Sequence, residues 1–187
     1  MKRSEIKKIT KNQIRKSALE LFSEKGYFET SISEISSKSK ISKGLFYHYY
    51  KSKEEIFDEI IKESIDSILQ TLSIKEELND EILHRLTQRI IKSLKSETVQ
   101  WKLLLLLLSH KHLAKLASNY LLHSSDYTNF EKKLQGYLKA KKHIEPEIET
   151  KLFITSLLGI CIQFTINPSS FPLNKIILEL VNNIIRR

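Results

Sequence analysis

The chain has one cysteine, three prolines and four glycines in 187 residues. A single thiol, Cys161, excludes an intramolecular disulfide and gives no sign of an oxidising compartment. Within its apolar GICIQF context it reads as a small buried hydrophobe rather than a nucleophile. So little Gly and Pro, beside abundant Leu, Ile, Lys and Glu, leaves few turns for a many-stranded sheet, and no segment alternates as a half-buried strand does. An all-α chain is expected. The longest fully apolar run, Leu103 to Leu108, is far short of the ~20 residues that cross a bilayer, and the charged N-terminus lacks the apolar segment of a secretory signal. The expectation is a soluble, cytoplasmic protein with no membrane partner. Also missing are a Gly-rich phosphate loop, a Ser-His-Asp order and a paired-carboxylate motif, so neither an enzyme nor a bound cofactor is expected. His110, His112 and His123 do not share a metal-ligand spacing, and no metal site is assigned.

Acidic residues are scarce in one part only. Residues 1–53 hold 13 Lys and Arg against five acids, which is nearly the whole formal charge of +9. Such asymmetry points to a polyanion partner for that part alone. Six of the cations, Lys2, Arg3, Lys7, Lys8, Lys11 and Arg15, lie in the tail and first helix, where they suit phosphate or minor-groove contacts. Residues 1–6 read equally as such an arm or as a solvated tail.

Apolar spacing marks the helices. Thr10 with Gln13 predicts a capped start to a helix that buries Ile14, Ala18, Leu21 and Phe22 and stops at Gly26. After Ser52, the set Ile56, Ile60, Ile65, Ile68, Leu69 and Leu72 predicts a helix of about five turns. Asn79-Asp80 opens another that ends near Lys95. Thr98 to His112 is predicted as a helix apolar all round at Leu103 to Leu108 and therefore central in a bundle. Leu116 to Lys142 follows as one long or broken helix, with Ser124 to Asp126 as the break or cap. Glu147 to Thr165, introduced by Pro146, and Leu173 to Ile185 predict a closing hairpin. The first of these two carries more apolar width than one monomer need cover, which suggests a dimer face.

The most specific segment is Thr30 to Ile56. Ser31 with Glu34 and Ser52 with Glu55 each make the S-x-x-E pattern of a helix start, and Ser42 is a third N-cap. Ile35, Ile41 and Phe46 can be buried between two short crossing helices, leaving Lys38, Lys40 and Lys43 elsewhere. These are the parts of a helix-turn-helix whose second helix would present Lys43, Leu45, Tyr47 and His48.

With G-Y-F-E-T-S at Gly26 to Ser31, I-S-K-G-L-F-Y-H-Y-Y at Ile41 to Tyr50 and K-S-K-E-E-I at Lys51 to Ile56, the segment from about residue 10 to 60 resembles the TetR/AcrR family of bacterial transcriptional regulators. The chain departs from that pattern at three places. Lys40 stands where Gly is usual, so a left-handed turn there would be strained by roughly 1 kcal/mol while placing a cation beside the DNA. Ser36 replaces the usual Ala with a hydroxyl able to bond back to the preceding turn. Tyr50 replaces Phe.

The resemblance implies an N-terminal three-helix DNA-binding unit, residues 1–53, joined by a long helix to a helical ligand-binding and dimerisation domain, residues 54–187. It implies a homodimer through the last two helices, a small-molecule effector in the C-terminal bundle, and double-stranded DNA as partner, most often for repression at an inverted repeat. Lys43, Tyr47, His48, Tyr49 and Lys53 match contacting positions of the family motif, with Ser31, Ser33, Ser42 and Leu45 as supporting candidates. Lys43 can donate to guanine, Leu45 can touch a thymine methyl, Ser31, Tyr47, Tyr49 and Lys53 can hold phosphates, and His48 can do either. Trp101, Leu105, Tyr120, Phe153 and Leu157 are the bulky candidates for an effector pocket. The alternative for the whole chain is a general nucleic-acid-binding protein, which the same charge would serve.

Overall fold

A computed structural model describes residues 3–108 and 111–186 of the protein. Lys2 and His110, named above, lie outside the described residues. Ten helices and no strand are present among the described residues. They divide into two compact units, Met1–Ile65 with Val99–Ala117, and Asp66–Thr98 with Ser118–Arg187.

In the first unit, α1 (Arg3–Lys25), α2 (Ile32–Lys38), α3 (Lys43–Tyr49) and the start of α4 (Lys53–Gln70) share one core. Ile14, Phe22, Ile35, Phe46, Tyr50, Ile56 and Phe57 are all buried. The Phe22 and Phe57 rings meet edge to face at 4.9 Å, a favoured aromatic geometry. The expected start at Thr10 is wrong. The Thr10 hydroxyl instead donates to the Ile6 carbonyl at 3.0 Å, one turn back inside α1. Gln13 donates to the Ser39 carbonyl at 2.9 Å, tying α1 to the end of α2. The basic arm is thus the opening of α1, and its cations part ways. Lys7 and Lys8 are exposed, whereas Lys11 reaches Glu59 at 2.8 Å and Arg15 reaches Glu63 at 2.5 Å, both on α4.

The second unit is held by α5 (Asp80–Ser96), α8 (Ser125–Ala140), α9 (Pro146–Ile166) and α10 (Leu173–Ile185), with α10 packing on α5 and α9, and α8 on α9. Asn79 caps α5 by accepting from the Ile82 amide at 2.9 Å. Asp80 then accepts from the Tyr137 hydroxyl at 2.8 Å and from Lys141 at 3.0 Å, joining α5 to α8. Arg89 gathers the carbonyls of Gln70 (2.9 Å), Ser73 (2.8 Å) and Thr71 past the end of α4, groups a helix C-terminus leaves unpaired.

One expectation for the middle of the chain changes. The described residues of 98–142 form α6 (Thr98–Leu108), α7 (Lys111–Leu122) and α8, the break before α8 falling at Ser124 as predicted. Helix α6 is not buried all round, for Leu103 and Leu107 are buried while Leu104, Leu105 and Leu106 are half-buried. A four-residue step selects one stripe that a run of identical leucines conceals. By length and composition α9 is apolar enough to cross a membrane, although no single run within it is. Scattered Ser and Thr interrupt the runs without lowering the average much. Its Phe153, Leu157, Cys161 and Phe164 are buried among neighbours, as in the core helix of a packed bundle.

Candidate nucleic-acid interface

The turn between α2 and α3 is built by local bonds. At the start of α2, the Ser31 hydroxyl accepts from the Glu34 amide at 3.2 Å while Glu34 accepts from the Ser31 amide at 2.9 Å and its hydroxyl at 2.8 Å, a complete capping box. Lys25 also donates to Glu34. These donors, Lys25 first, hold the Glu34 carboxyl down at about 2. At its exit, α2 ends in a Schellman motif: the Lys40 amide bonds the Ser37 carbonyl and the Ile41 amide the Ser36 carbonyl, both at 3.0 Å. That motif requires a left-handed residue, and Lys40 supplies it at φ +56°. Ser42 then caps α3 by accepting from the Leu45 amide at 3.1 Å.

The resulting helix has two faces. Phe46 is fully buried, whereas Tyr47 is 54% exposed and Leu45 39%. Lys43 and His48 are exposed and Tyr49 is half-buried, with its ring edge-on to His48 at 5.3 Å. A groove of about 510 Å³ brings Ser31, Ser33, Lys43, Tyr47 and Lys53 together. It does not include Ser42, Leu45, His48 or Tyr49.

Cations on this unit differ in what holds them. Lys38 is paired with Glu20 at 3.2 Å, so it faces α1 and its acids. Lys40, Lys43 and Lys51 have no ion pair among the described residues. An unpaired ammonium on a groove wall is ready to meet phosphate. Lys51 was missed in the sequence, although it lines the same groove with Phe28, and Phe28 is 65% exposed. The only available signal was the K-S-K spacing, which does not tell the two lysines apart.

Glu54 also lines the groove, but it accepts from the Tyr27 hydroxyl at 2.5 Å. That bond first, then its own backbone amide and the Ser52 hydroxyl, holds its carboxyl below the usual range. Burial, reinforced by Glu54, pushes the Tyr27 phenol up. The second S-x-x-E pattern closes differently from the first. Ser52 accepts from the Glu55 amide at 3.2 Å, but Glu55 reaches back to the Lys51 amide at 2.6 Å rather than to Ser52.

The five effector-pocket candidates fall in both units. Trp101, which is buried, and Leu105 belong to the first; Tyr120, Phe153 and Leu157 belong to the second. Phe153 lines a surface depression of about 180 Å³ between α9 and α10, with Glu149, Leu152, Ser156, Leu180, Asn183 and Ile184. No group of three or more His, Cys, Asp or Glu able to hold a metal occurs among the described residues. Burial pushes the Cys161 thiol up to about 12, leaving it protonated and inert near neutrality.

A model of bacterial regulatory proteins of the tetR family matches residues 14–60. The transposon Tn10 TetC protein of Escherichia coli is 37% identical over 73 residues, 39% of this chain and 37% of that one. The biofilm operon icaADBC HTH-type negative transcriptional regulator IcaR of Staphylococcus epidermidis is 36% identical over 62 residues, 33% of this chain and 34% of its own. The match therefore spans about a third of the length of these relatives. Among solved structures, a transcriptional regulator from Aquifex aeolicus VF5 superposes with a TM-score of 0.66, covering 94% of this chain and 97% of that one at 24% identity. At that identity the likeness speaks for the fold.

Proposed function

Because the chain belongs to the tetR family of bacterial regulatory proteins, we propose that it is a sequence-specific DNA-binding transcriptional regulator, acting as a repressor on an inverted-repeat operator. One observation carries this reading. The recognition helix α3 buries Phe46 and presents Lys43, Tyr47 and His48 outward, on a unit whose Lys40, Lys43 and Lys51 have no acidic partner among the described residues. Base edges would be read by Lys43, Leu45 and His48, and register on the phosphates set by Tyr47, Tyr49 and the free lysines. The negative regulator among the relatives supports repression. Those relatives are regulators rather than enzymes, and a cytoplasmic location fits that role.

The protein would act as a homodimer through α9 and α10. Ile148, Leu152 and Leu158 on α9 and Leu178 on α10 are about half exposed or more, an apolar face of the kind a second copy would cover. Two recognition helices would then enter successive major grooves, ~34 Å apart or a multiple of that. Reading belongs in this proposal to residues 1–53, and effector binding and dimerisation to residues 54–187. An apolar small molecule would tilt α4, change the separation of the recognition helices and lower operator affinity by its differential binding to the two states.

The test is selection of bound sequences from a random duplex pool at about 0.15 M salt, where exposed charges are largely screened. Recovery of an inverted repeat establishes a dimeric, sequence-specific regulator. Recovery of no consensus leaves a basic protein that binds phosphates generally.

A further inference from the structure

The two lysines that flank Ser52 stand in contrasting surroundings. The Lys53 ammonium donates to the Tyr27 carbonyl at 2.9 Å and to the Thr30 carbonyl at 2.8 Å. It also lies 4.2 Å from the centre of the Tyr27 ring, within cation–π range. Two of its three N–H donors and one side of its charge are therefore already engaged within the protein. Lys51, two residues earlier on the rim of the same groove, is exposed and has no ion pair among the described residues.

The carbonyls held by Lys53 bracket the turn between α1 and α2. Tyr27 follows the left-handed Gly26, and Thr30 directly precedes the α2 cap Ser31. The Thr30 hydroxyl donates back to the Gly26 carbonyl at 2.8 Å, and the Thr30 amide to the Tyr27 carbonyl at 3.3 Å. Lys53 thus pins a turn at both ends from the first residue of α4. The placement of the groove wall that carries Ser31 and Ser33 depends on it. To reach a phosphate, the ammonium would have to release one or both carbonyls.

We infer that Lys53 is a positioning residue that holds the α1–α2 turn, and that the groove binds a DNA backbone phosphate through Lys51 and Lys43. This rests on the DNA-binding reading above, and departs from it by moving Lys43 from a base edge to a phosphate and from the sequence by taking the phosphate role away from Lys53.

Salt dependence separates the two roles, because each phosphate neutralised contributes about 0.9 to the slope of log K against log salt, and an internal cation contributes nothing directly. The full-length protein is titrated with a duplex recovered by the selection above, at several salt concentrations and at a temperature where every variant is folded. Lys51→Gln and Lys43→Gln are expected each to reduce the slope by roughly 0.9 with melting temperature unchanged. Lys53→Met is expected to weaken binding by about tenfold at every salt concentration, with the wild-type slope kept and a lowered melting temperature. A Lys53→Met slope reduced by a full phosphate, or a Lys51→Gln slope equal to wild type, overturns the inference. Should Lys53→Met not fold, the Lys53 ammonium nitrogen resonance of the wild type is compared with and without duplex. An unmoved signal supports the positioning role, and a displacement equal to that of Lys51 overturns it. A wild-type protein that binds no duplex at any salt concentration removes the DNA-binding reading itself, a failure distinct from any ranking of the lysines.

Discussion

The Tyr50 hydroxyl donates to Glu59 at 3.3 Å, joining the residue that ends α3 to the second turn of α4. Tyr50 is 1% exposed, and Glu59 also accepts from Lys11 and Arg15 on α1. Burial first and then Glu59 push the Tyr50 phenol up, so it keeps its proton and remains a donor across the physiological range. Replacing the phenol leaves Glu59 its two cations, whereas removing the carboxylate strands a buried hydroxyl. Tyr50→Phe should therefore cost about 1 kcal/mol and Glu59→Ala about 2 kcal/mol. Urea denaturation of both single variants and the double variant tests the link. Additivity within about 0.3 kcal/mol would mean that the two residues do not interact.

Ser36 is expected to behave in the opposite sense. Its hydroxyl is buried and has no hydrogen-bond partner among the described residues, so the back-bond to the preceding turn that the sequence allows is not made. A buried unsatisfied hydroxyl carries a desolvation penalty that no bond offsets, and Ala is the better helix former. Ser36→Ala should stabilise the protein by about 1 kcal/mol, read as a higher urea midpoint at constant slope. A midpoint that falls would show that the hydroxyl has a partner in solution.

What could be read from the sequence divides by the range of the interaction. The capping box of Ser31 with Glu34, the Ser42 cap and the left-handed Lys40 are set by bonds between residues within a turn of one another, and all three were predictable. Thr10 with Gln13 shows the same letters in another setting, because the Gln13 partner is Ser39, 26 positions away. The partners of Lys53 are similarly remote in sequence, at Tyr27 and Thr30. Spacing therefore located the two short helices and their caps without showing which lysine faces inward. The effector candidates were harder still, since bulk alone does not say which face of a helix finds a neighbour.

Lys40 offers a test in which stability and binding move apart. At φ +56° a Lys side chain is strained by roughly 1–2 kcal/mol relative to Gly, while Gly adds unfolded-state entropy of somewhat smaller size. Lys40→Gly should raise stability by about 0.5 kcal/mol. It also removes an exposed cation between the two helices of the reading unit, so duplex binding should weaken, and more so at low salt. Gly26, at φ +87° with open space where a Cβ would sit, is the control: Gly26→Ala should destabilise by about 1 kcal/mol through backbone strain alone. Thermal melts and a salt series on Lys40→Gly decide the matter. A variant both less stable and equally tight in binding would contradict both halves.

Glu34 predicts the acid limb of stability. Its carboxyl is lowered from 4.5 to about 2 by Lys25 first and then by the Ser31 amide and hydroxyl. A folded-state value below the unfolded one means that the unfolded chain takes up the proton more readily as the solution is acidified. The stabilisation is therefore fully present above about 4.5, falls away as pH drops from there, and is gone once pH passes below about 2. Glu34→Gln, which keeps the shape and gives up the charge, should have a lower melting temperature than wild type at neutral pH and should converge with it as pH falls through that window. Lys25→Met should reproduce much of the convergence, because Lys25 is the largest cause of the shift. Parallel curves for wild type and Glu34→Gln from neutral pH down to the acid transition would show that the carboxylate titrates alike in the folded and unfolded states, and that the box is held by the serine hydroxyl alone.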